Sequence, residues 1–417
     1  MNTDSHYKRL VVEAEQRGQG FALDAAVRKR QSEATLKVWA RELDAVNKHI
    51  TVDERLVNDA AHAYQSVGRH ILDKSGWGEG NIEVHCQGSM STQTLIAPAT
   101  PEKFDIDAVC SAEISAAEAR DPMAFFEKVG GYLDAWETES KNRCWRIHFV
   151  GARFYIDFTP AVPLSTAIAT FNGPVRFTPG RFSETALAVV DTATKEWKTS
   201  NPKGFAAWVN QQANRQLLVS PLTAALDERA AGSADVEPVP DQSVPLSDTL
   251  RVAIRLFKRH RDMCVLRGLI DGDHKPISVV IVTLLTSGYE GLADAVRRFH
   301  HPIDLLVRLA ELMPQMVEIR NGDYWIENPT VDGENFAERW NDDEGERRAA
   351  FVVWCRKLVE DLEHVIDAET EAEVKSRVQE VFGCKGATTG PKPSGGGGLA
   401  NSTPTKVAIV PAGRGLA

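Results

Sequence analysis

The sequence predicts an α+β chain, with a mixed β-sheet confined to the first half, helices ahead of it, a helical second half and a flexible tail. Three observations lead there. Apolar and polar residues alternate with period two at 82–87, 104–108 and 154–159; helical spacing dominates from about 248 onward; and 387–417 is rich in Gly, Pro, Ser and Thr without periodicity. The chain accordingly divides into an N-terminal helical region at 1–50, a sheet-bearing core at 51–217, a linker at 218–247, a helical domain at 248–384 and a tail at 385–417.

A length of 417 residues is enough for roughly two or three domains of ordinary size, with ample apolar surface for a core. The hydrophobic fraction of 43% and charged fraction of 25% are those of a soluble globular protein. A formal net charge of -10 argues against a dedicated binder of duplex nucleic acid, which usually carries a basic footprint. Small anionic substrates stay compatible with it, because a local cation can hold them. The longest strongly apolar run, ISVVIVTLL at 277–285, is well short of the roughly 18 residues of a membrane span, and the N-terminus lacks a signal-peptide core. A cytoplasmic protein is expected. Its six cysteines, Cys86, Cys110, Cys144, Cys264, Cys355 and Cys384, show no CxxC or metal-ligand spacing and read as buried or incidental thiols, with Cys384 the exposed-looking one.

In chain order, 22–48 reads as a helix. A second helix is expected from Thr51 as N-cap with Glu54 three residues on, and it places Val57, Ala60, Ala61, Tyr64, Val67 and Ile71 on one face. The two helices would form a support under the sheet. GWGEG at 76–80 follows a helix rather than a strand, so it reads as a turn and not as a dinucleotide loop. Next come a strand with Ile82, Val84 and Cys86 on one face, a Gly88-Ser89 turn, and a strand with Asp105 and Asp107 on the face opposite Phe104, Ile106 and Ala108. Residues 121–140 read as a helix despite Gly130-Gly131, and RCWRIHFV with ARFYIDFTP as a hairpin whose second strand carries Asp157. Residues 218–247, rich in Pro, Ala, Asp and Ser, read as a surface loop at a domain boundary.

Gly88-Ser89 with three strand-borne acids is what metal-dependent nucleotidyl transfer needs. Two magnesium ions about 3.5 to 4 Å apart can activate an attacking hydroxyl and neutralise a leaving pyrophosphate, and magnesium takes oxygen ligands. Asp105 and Asp107 would hold both ions, Asp157 would complete the attacking-side site, and Ser89 with the turn's N–H groups would grip a triphosphate. A DxD alone is a weak signal; DGD at 271–273 is a decoy in a Gly-containing turn. Aspartate is depleted in strands, so two on one face cost stability that a role should offset.

QGSMSTQT, FDIDAVC and FYIDFTPAVP resemble the GS, hDhD and third-acid motifs of the polymerase-β-like nucleotidyltransferases, and within them the bacterial cGAS/DncV-like enzymes, the CD-NTases. SNPKGFAAWV at 200–209, RLFKRHRD at 255–262, KPISVVIVTLL at 275–285 and NPTVDGENFAERW at 328–340 carry the resemblance through about residue 365 and favour that branch. The resemblance implies a polymerase-β-like mixed sheet packed on a helical domain. It implies an enzyme that uses two Mg2+ ions, with Mn2+ as a substitute, to join nucleoside triphosphates, ATP among them, into cyclic di- or trinucleotides that activate antiphage effectors in CBASS operons. It further implies that Lys258 contacts the triphosphate and that Ser278, opening the following helix, binds nucleotide. Val279 stands where some relatives place a base-stacking tyrosine. The tail resembles those of synthases joined to a target through a small C-terminal residue by an E1/E2-like partner, which would make Ala417 a conjugation site. Arg259, His260 and Arg261 read as a surface, substrate-neutralising cluster. Two other outcomes remain open: nucleotidyl transfer to RNA or protein, and a non-catalytic nucleotide-binding module captured through its tail.

Overall fold

In the computed structural model the described residues are 5–17, 33–78, 80–168, 182–219 and 236–384. Residues 385–417, including Ala417, and the 22–32 part of the expected first helix lie outside them.

Three helices precede the sheet: α1 (His6–Arg17), α2 (Glu33–His49) and α3 (Glu54–Ser75). The expected two-helix support separates. Tyr64, Val67 and Ile71 of α3 enter the core beneath the sheet, whereas Trp39, Leu43 and Val46 of α2, like Val11 and Ala14 of α1, join the core of the helical half. The start of α3 also differs from expectation. Its N-cap is Asp53, whose carboxylate accepts from Arg55 N–H, while Thr51 donates its hydroxyl back to the Asn47 carbonyl. Asp53 sits directly before the first helical residue and so outcompetes a cap two positions away. GWGEG does close α3, with Gly76 as a left-handed C-cap (φ 67°).

The sheet comprises β1 (Ile82–Cys86), β2 (Phe104–Ala112), β3 (Glu137–Ser140), β4 (Trp145–His148), β5 (Phe154–Pro163), β6 (Leu187–Asp191) and β7 (Glu196–Ser200). The strand order is β1-β2-β5-β4-β3, and β5 also pairs with β6, which pairs with β7. Among these strands only β2 and β5 run parallel. A parallel pair needs a crossover, and the chain between them supplies α5 (Pro122–Tyr132) and the β3–β4 hairpin. Here the expected helix over 121–140 is too long: α5 ends at Tyr132, and Glu137–Ser140 pairs with β4 instead. Gly130 belongs to the packing, since a Cβ there would lie 2.4 Å from the Trp145 ring. A four-residue helix, α4 (Gly88–Ser91), sits between β1 and β2.

The helical half contains α8 (Thr249–Leu266), α9 (Ser278–Asp294), α10 (Pro302–Leu312), α12 (Glu346–Ile366) and α13 (Glu371–Phe382), with the short α11 (Glu338–Asp342) between α10 and α12; α6 (Leu164–Ala167) and α7 (Pro202–Ala213) precede α8. A small hairpin, β8 (Glu318–Arg320) with β9 (Asp323–Trp325), follows α10. Two of the later sequence blocks join the halves. Asn201 caps α7 by accepting from Gly204 N–H, and its amide donates to the Thr330 carbonyl, 2.8 Å away. The described part of the linker is more than a surface loop: Val236 bridges Val84 at the sheet edge, and Gln242 and Val244 are buried. Cys384, expected exposed, is 3% exposed. All six cysteines are free thiols, five of them buried. No helix among the described residues is long and apolar enough to cross a membrane.

Candidate active site

The floor of the site is the β2–β5 pair. Parallel register sets Asp107 beside Asp157 and Asp105 beside Tyr155, so the alternation within each strand puts all three carboxylates on one sheet face. Ile106, Ala108, Ile156 and Phe158 fill the opposite face against α3 and α5. The acids are thus held by strands whose other side is solid core.

Gly88 begins the wall next to that floor. The β1 strand delivers it, with Gln87 N–H bonded to the Asp107 carbonyl at 2.8 Å. Gly88 has φ 63°, and a Cβ on it would stand 2.2 Å from Asp107 Oδ2. Two independent constraints therefore demand glycine here: a left-handed backbone and a carboxylate against the missing side chain. Ser89 follows at the start of α4, and its hydroxyl receives a hydrogen bond from Lys258 Nζ (2.8 Å), which also donates to the Thr94 carbonyl (2.9 Å).

Lys258 comes from α8, in the other half of the molecule. The same helix ties itself to the sheet half through Arg251 Nε to the Thr92 carbonyl (3.0 Å) and Arg255 Nη2 to Thr51 Oγ1 (2.6 Å). These contacts create a cleft of about 440 Å³, within the range of small-molecule sites. Gly88, Ser89, Asp105, Asp107, Lys258 and Ser278 all line it, while Asp157 lies beside Asp107 on the floor. Ser278 opens α9, and its hydroxyl lies 3.2 Å from Arg261 Nη1.

The electrostatics are those of charges brought together without full compensation. Burial, and then the nearby Asp105 and Asp157, push the Asp107 carboxyl up to about 8. Burial, and then Arg261, bring the Lys258 ammonium down to about 8, against the opposing pull of Asp105, Asp262 and Asp107. The Asp107 carboxyl, which resists ionisation beside two further carboxylates, marks a place where a divalent cation gains much from binding, and the donors are all oxygens, as magnesium prefers. The three acids are nevertheless not assembled as a ligand set: among the described residues no three acidic, imidazole or thiol groups form a metal cluster. Asp157 is engaged with an arginine instead. Both of its oxygens accept from Arg146, Nε to Oδ1 and Nη2 to Oδ2 at 2.8 Å each.

Arg146 was not evident in the sequence, where it is one polar residue of an alternating strand; only the β4–β5 register, which sets it opposite Asp157, reveals it. The expected surface cluster at 259–261 is corrected for Arg259 and His260, whereas Arg261 lines the cleft. His260 is fully buried, bonded to Asp361 and receiving the Trp354 indole N–H, while Arg259 donates to the Phe382 carbonyl inside the helical core. Helical spacing explains the split, since Lys258, Arg261 and Asp262 share the cleft face and His260 points inward. The decoy Asp271 and Asp273 occupy an exposed turn.

Residues 82–160 match the family described as cyclic GMP-AMP synthase DncV-like, nucleotidyltransferase domain. A curated relative, a c-di-GMP synthase of Roseivirga ehrenbergii, is 25% identical over 286 residues, covering 67% of this chain and 67% of the relative. Among solved structures, the Bradyrhizobium diazoefficiens CD-NTase CdnG in complex with GTP superposes with a TM-score of 0.54 at 20% identity, covering 84% of this chain and 95% of that one. The CdnC of an E. coli MS115-1 CdnC:HORMA-deltaN complex gives 0.50 at 11% identity, covering 83% and 99%. These two similarities concern the fold: a mixed sheet packed against helices.

Proposed function

We propose that this chain, whose residues 82–160 match the DncV-like nucleotidyltransferase domain, condenses nucleoside triphosphates into a cyclic di- or trinucleotide with release of pyrophosphate. The observation that supports this most directly is the meeting of Ser89 and Lys258, from opposite halves of the molecule, 2.8 Å apart beside Asp105 and Asp107. A hydroxyl and an ammonium converging next to carboxylates make one place for a triphosphate tail and an adjacent place for its α-phosphorus.

Two divalent cations, Mg2+ with Mn2+ as substitute, would supply charge neutralisation at the attacking and leaving oxygens. Asp105 and Asp107 would hold them, with Asp157 joining once its carboxylate turns from Arg146. Ser89, the α4 backbone and Lys258 bind the β- and γ-phosphates and so orient the α-phosphorus over β2. Ser278 lines the nucleotide end of the cleft. The sugar hydroxyl of a second nucleotide attacks the α-phosphorus and gives its proton to solvent water as the new P–O bond forms, while the bond from the α-phosphorus to the bridging oxygen breaks and pyrophosphate leaves. Repeating the step within the linear product closes the ring. The resemblance set out above supports a signalling role for that product, as the second messenger of an antiphage CBASS system.

Purified protein given labelled triphosphates with Mg2+ or Mn2+ should yield a phosphatase-resistant product whose mass is that of a cyclic oligonucleotide. Label found instead on RNA or on a protein would overturn the reading. Nucleotide binding without any pyrophosphate release would do the same.

A further inference from the structure

One face of α8 forms the cleft wall that belongs to the helical half. Lys258, Arg261, Asp262, Val265 and Leu266 all line the cavity, at the spacing of one helix face. Lys258 reaches Ser89 at the phosphate end. Asp262, one turn further on and roughly 6 Å along the axis, brings a carboxylate to the cavity lining beyond Lys258.

Its geometry is held firmly. Arg261 donates Nε (2.9 Å) and Nη2 (2.7 Å) to a single oxygen, Asp262 Oδ1. The remaining guanidinium nitrogen, Nη1, donates to the Pro276 carbonyl (3.0 Å) and lies against Ser278 Oγ (3.2 Å), which anchors it to the start of α9. Arg261 is nearly enclosed, with 7% of its side chain exposed, and Asp262 retains 20%. Among the described residues nothing donates to Asp262 Oδ2. Apolar side chains flank this position in the cavity lining: Val265 and Leu266 on α8, and Val279 and Val282 on α9.

A carboxylate oxygen accepts hydrogen bonds and cannot donate. Adenine and cytosine each set an acceptor nitrogen beside their amino group, which would face Oδ2 with like charge, and uracil offers one N–H between two carbonyls. Guanine alone places two donors, N1–H and the N2 amino group, side by side. We propose that Asp262 selects guanine, reading its N1–H and N2 edge through Oδ2 while the four apolar residues enclose the ring. This rests on the nucleotide-binding reading of the cleft and adds the substrate class to it.

The test is equilibrium binding to the full chain of GTP, ITP and ATP analogues that cannot be cleaved between the α- and β-phosphorus. Inosine lacks only the N2 amino group. The wild type should bind the guanosine analogue about tenfold more tightly than the inosine analogue, as expected for one hydrogen bond to a charged acceptor, and more tightly again than the adenosine analogue. Asp262→Asn, which keeps the shape and an acceptor for Arg261, should bring the guanosine-to-inosine ratio close to one, and Asp262→Ala should do the same at a lower melting temperature, because it takes the carboxylate from the nearly enclosed Arg261. A wild type that binds the adenosine analogue as well as the guanosine one would overturn the assignment. An undiminished ratio in Asp262→Asn would also overturn it. Product analysis is read separately: guanine discrimination without a cyclic product would count against the synthase reading and leave Asp262 in its role.

Discussion

Arg146 and Asp157 stand opposite each other on β4 and β5 and are joined by two parallel hydrogen bonds of 2.8 Å, with the guanidinium 3.7 Å from the centroid of the Tyr155 ring. A two-point pair of this kind is both strong and directional. It occupies the two oxygens that a cation on the attacking side would need.

Arg146 should therefore compete with the cation. Arg146→Met, which keeps the apolar stem over Tyr155 and removes the charge, should lower the Mn2+ concentration for half-saturation several-fold, measured by electron paramagnetic resonance of free Mn2+. A higher midpoint in the variant would show that the arginine orients Asp157 for the metal instead of competing with it.

Asp105→Asn and Asp107→Asn should each reduce pyrophosphate release by on the order of 10²-fold or more, comparable to removing one strong electrostatic contact from a transition state. Melting temperature should not fall, because neither carboxylate contributes to the apolar core and Asp107 is crowded by its neighbours. Pyrophosphate release measured on folded protein checks both points.

Gly88 and Gly76 form a natural control pair. Both have positive φ, 63° and 67°, but a Cβ on Gly76 would meet nothing within 4 Å, whereas one on Gly88 would meet Asp107 Oδ2 at 2.2 Å. Gly76→Ala should cost about 1 kcal/mol in stability and leave turnover intact. Gly88→Ala should cost at least as much and abolish turnover by displacing the carboxylate. Chemical denaturation with a parallel activity assay separates the two.

The Lys258 ammonium sits near 8, so the free site loses a positive charge as pH rises through that value. Triphosphate affinity in the absence of added metal should fall between about pH 7 and 9. Lys258→Arg, whose charge persists, should flatten the profile, and Lys258→Met should weaken binding about tenfold at neutral pH. Titration across that range provides the measurement.

His85 predicts an acid limit to stability. It is buried on β1, its two ring nitrogens have no hydrogen-bond partner among the described residues, and burial, with Lys203 adding to it, pulls it down to about 4 from 6.5. The unfolded chain takes up a proton below about 6.5 and the folded chain does not until about 4. Stability is thus complete above pH 6.5 and falls as pH drops toward 4, by up to about 3 kcal/mol. His85→Phe should remove most of that slope in denaturation curves collected at pH 4.5 and 7.

Much of the sheet and its acids was legible in the amino-acid order. Period two along 104–108 and 154–159 specifies which residues share a face before any partner strand is known, and Gly88-Ser89 marks a backbone that needs positive φ. The strands at 82, 104 and 154 and the hairpin at 145–158 follow from that pattern. Lys258 and Ser278 were accessible only through likeness to a family, because no local rule separates Lys258 from its basic neighbours. The misplaced features share a cause. His260, Cys384 and α2 are local segments whose exposure depends on what covers them, and the tertiary structure covers each with a helix distant in sequence.

The sequence by itself determined the chemistry: which side chains carry oxygen donors, which face of a strand presents them, and where the chain turns on a glycine. Only the tertiary structure decided the partnerships that tune that chemistry, namely Asp157 held by Arg146, Lys258 set on Ser89 across the cleft, and Arg261 anchored to the start of α9. The physical reason is range. Backbone alternation and steric limits act within a few residues, whereas the register of β4 on β5 and the docking of α8 on the sheet half are set by burial summed over whole elements.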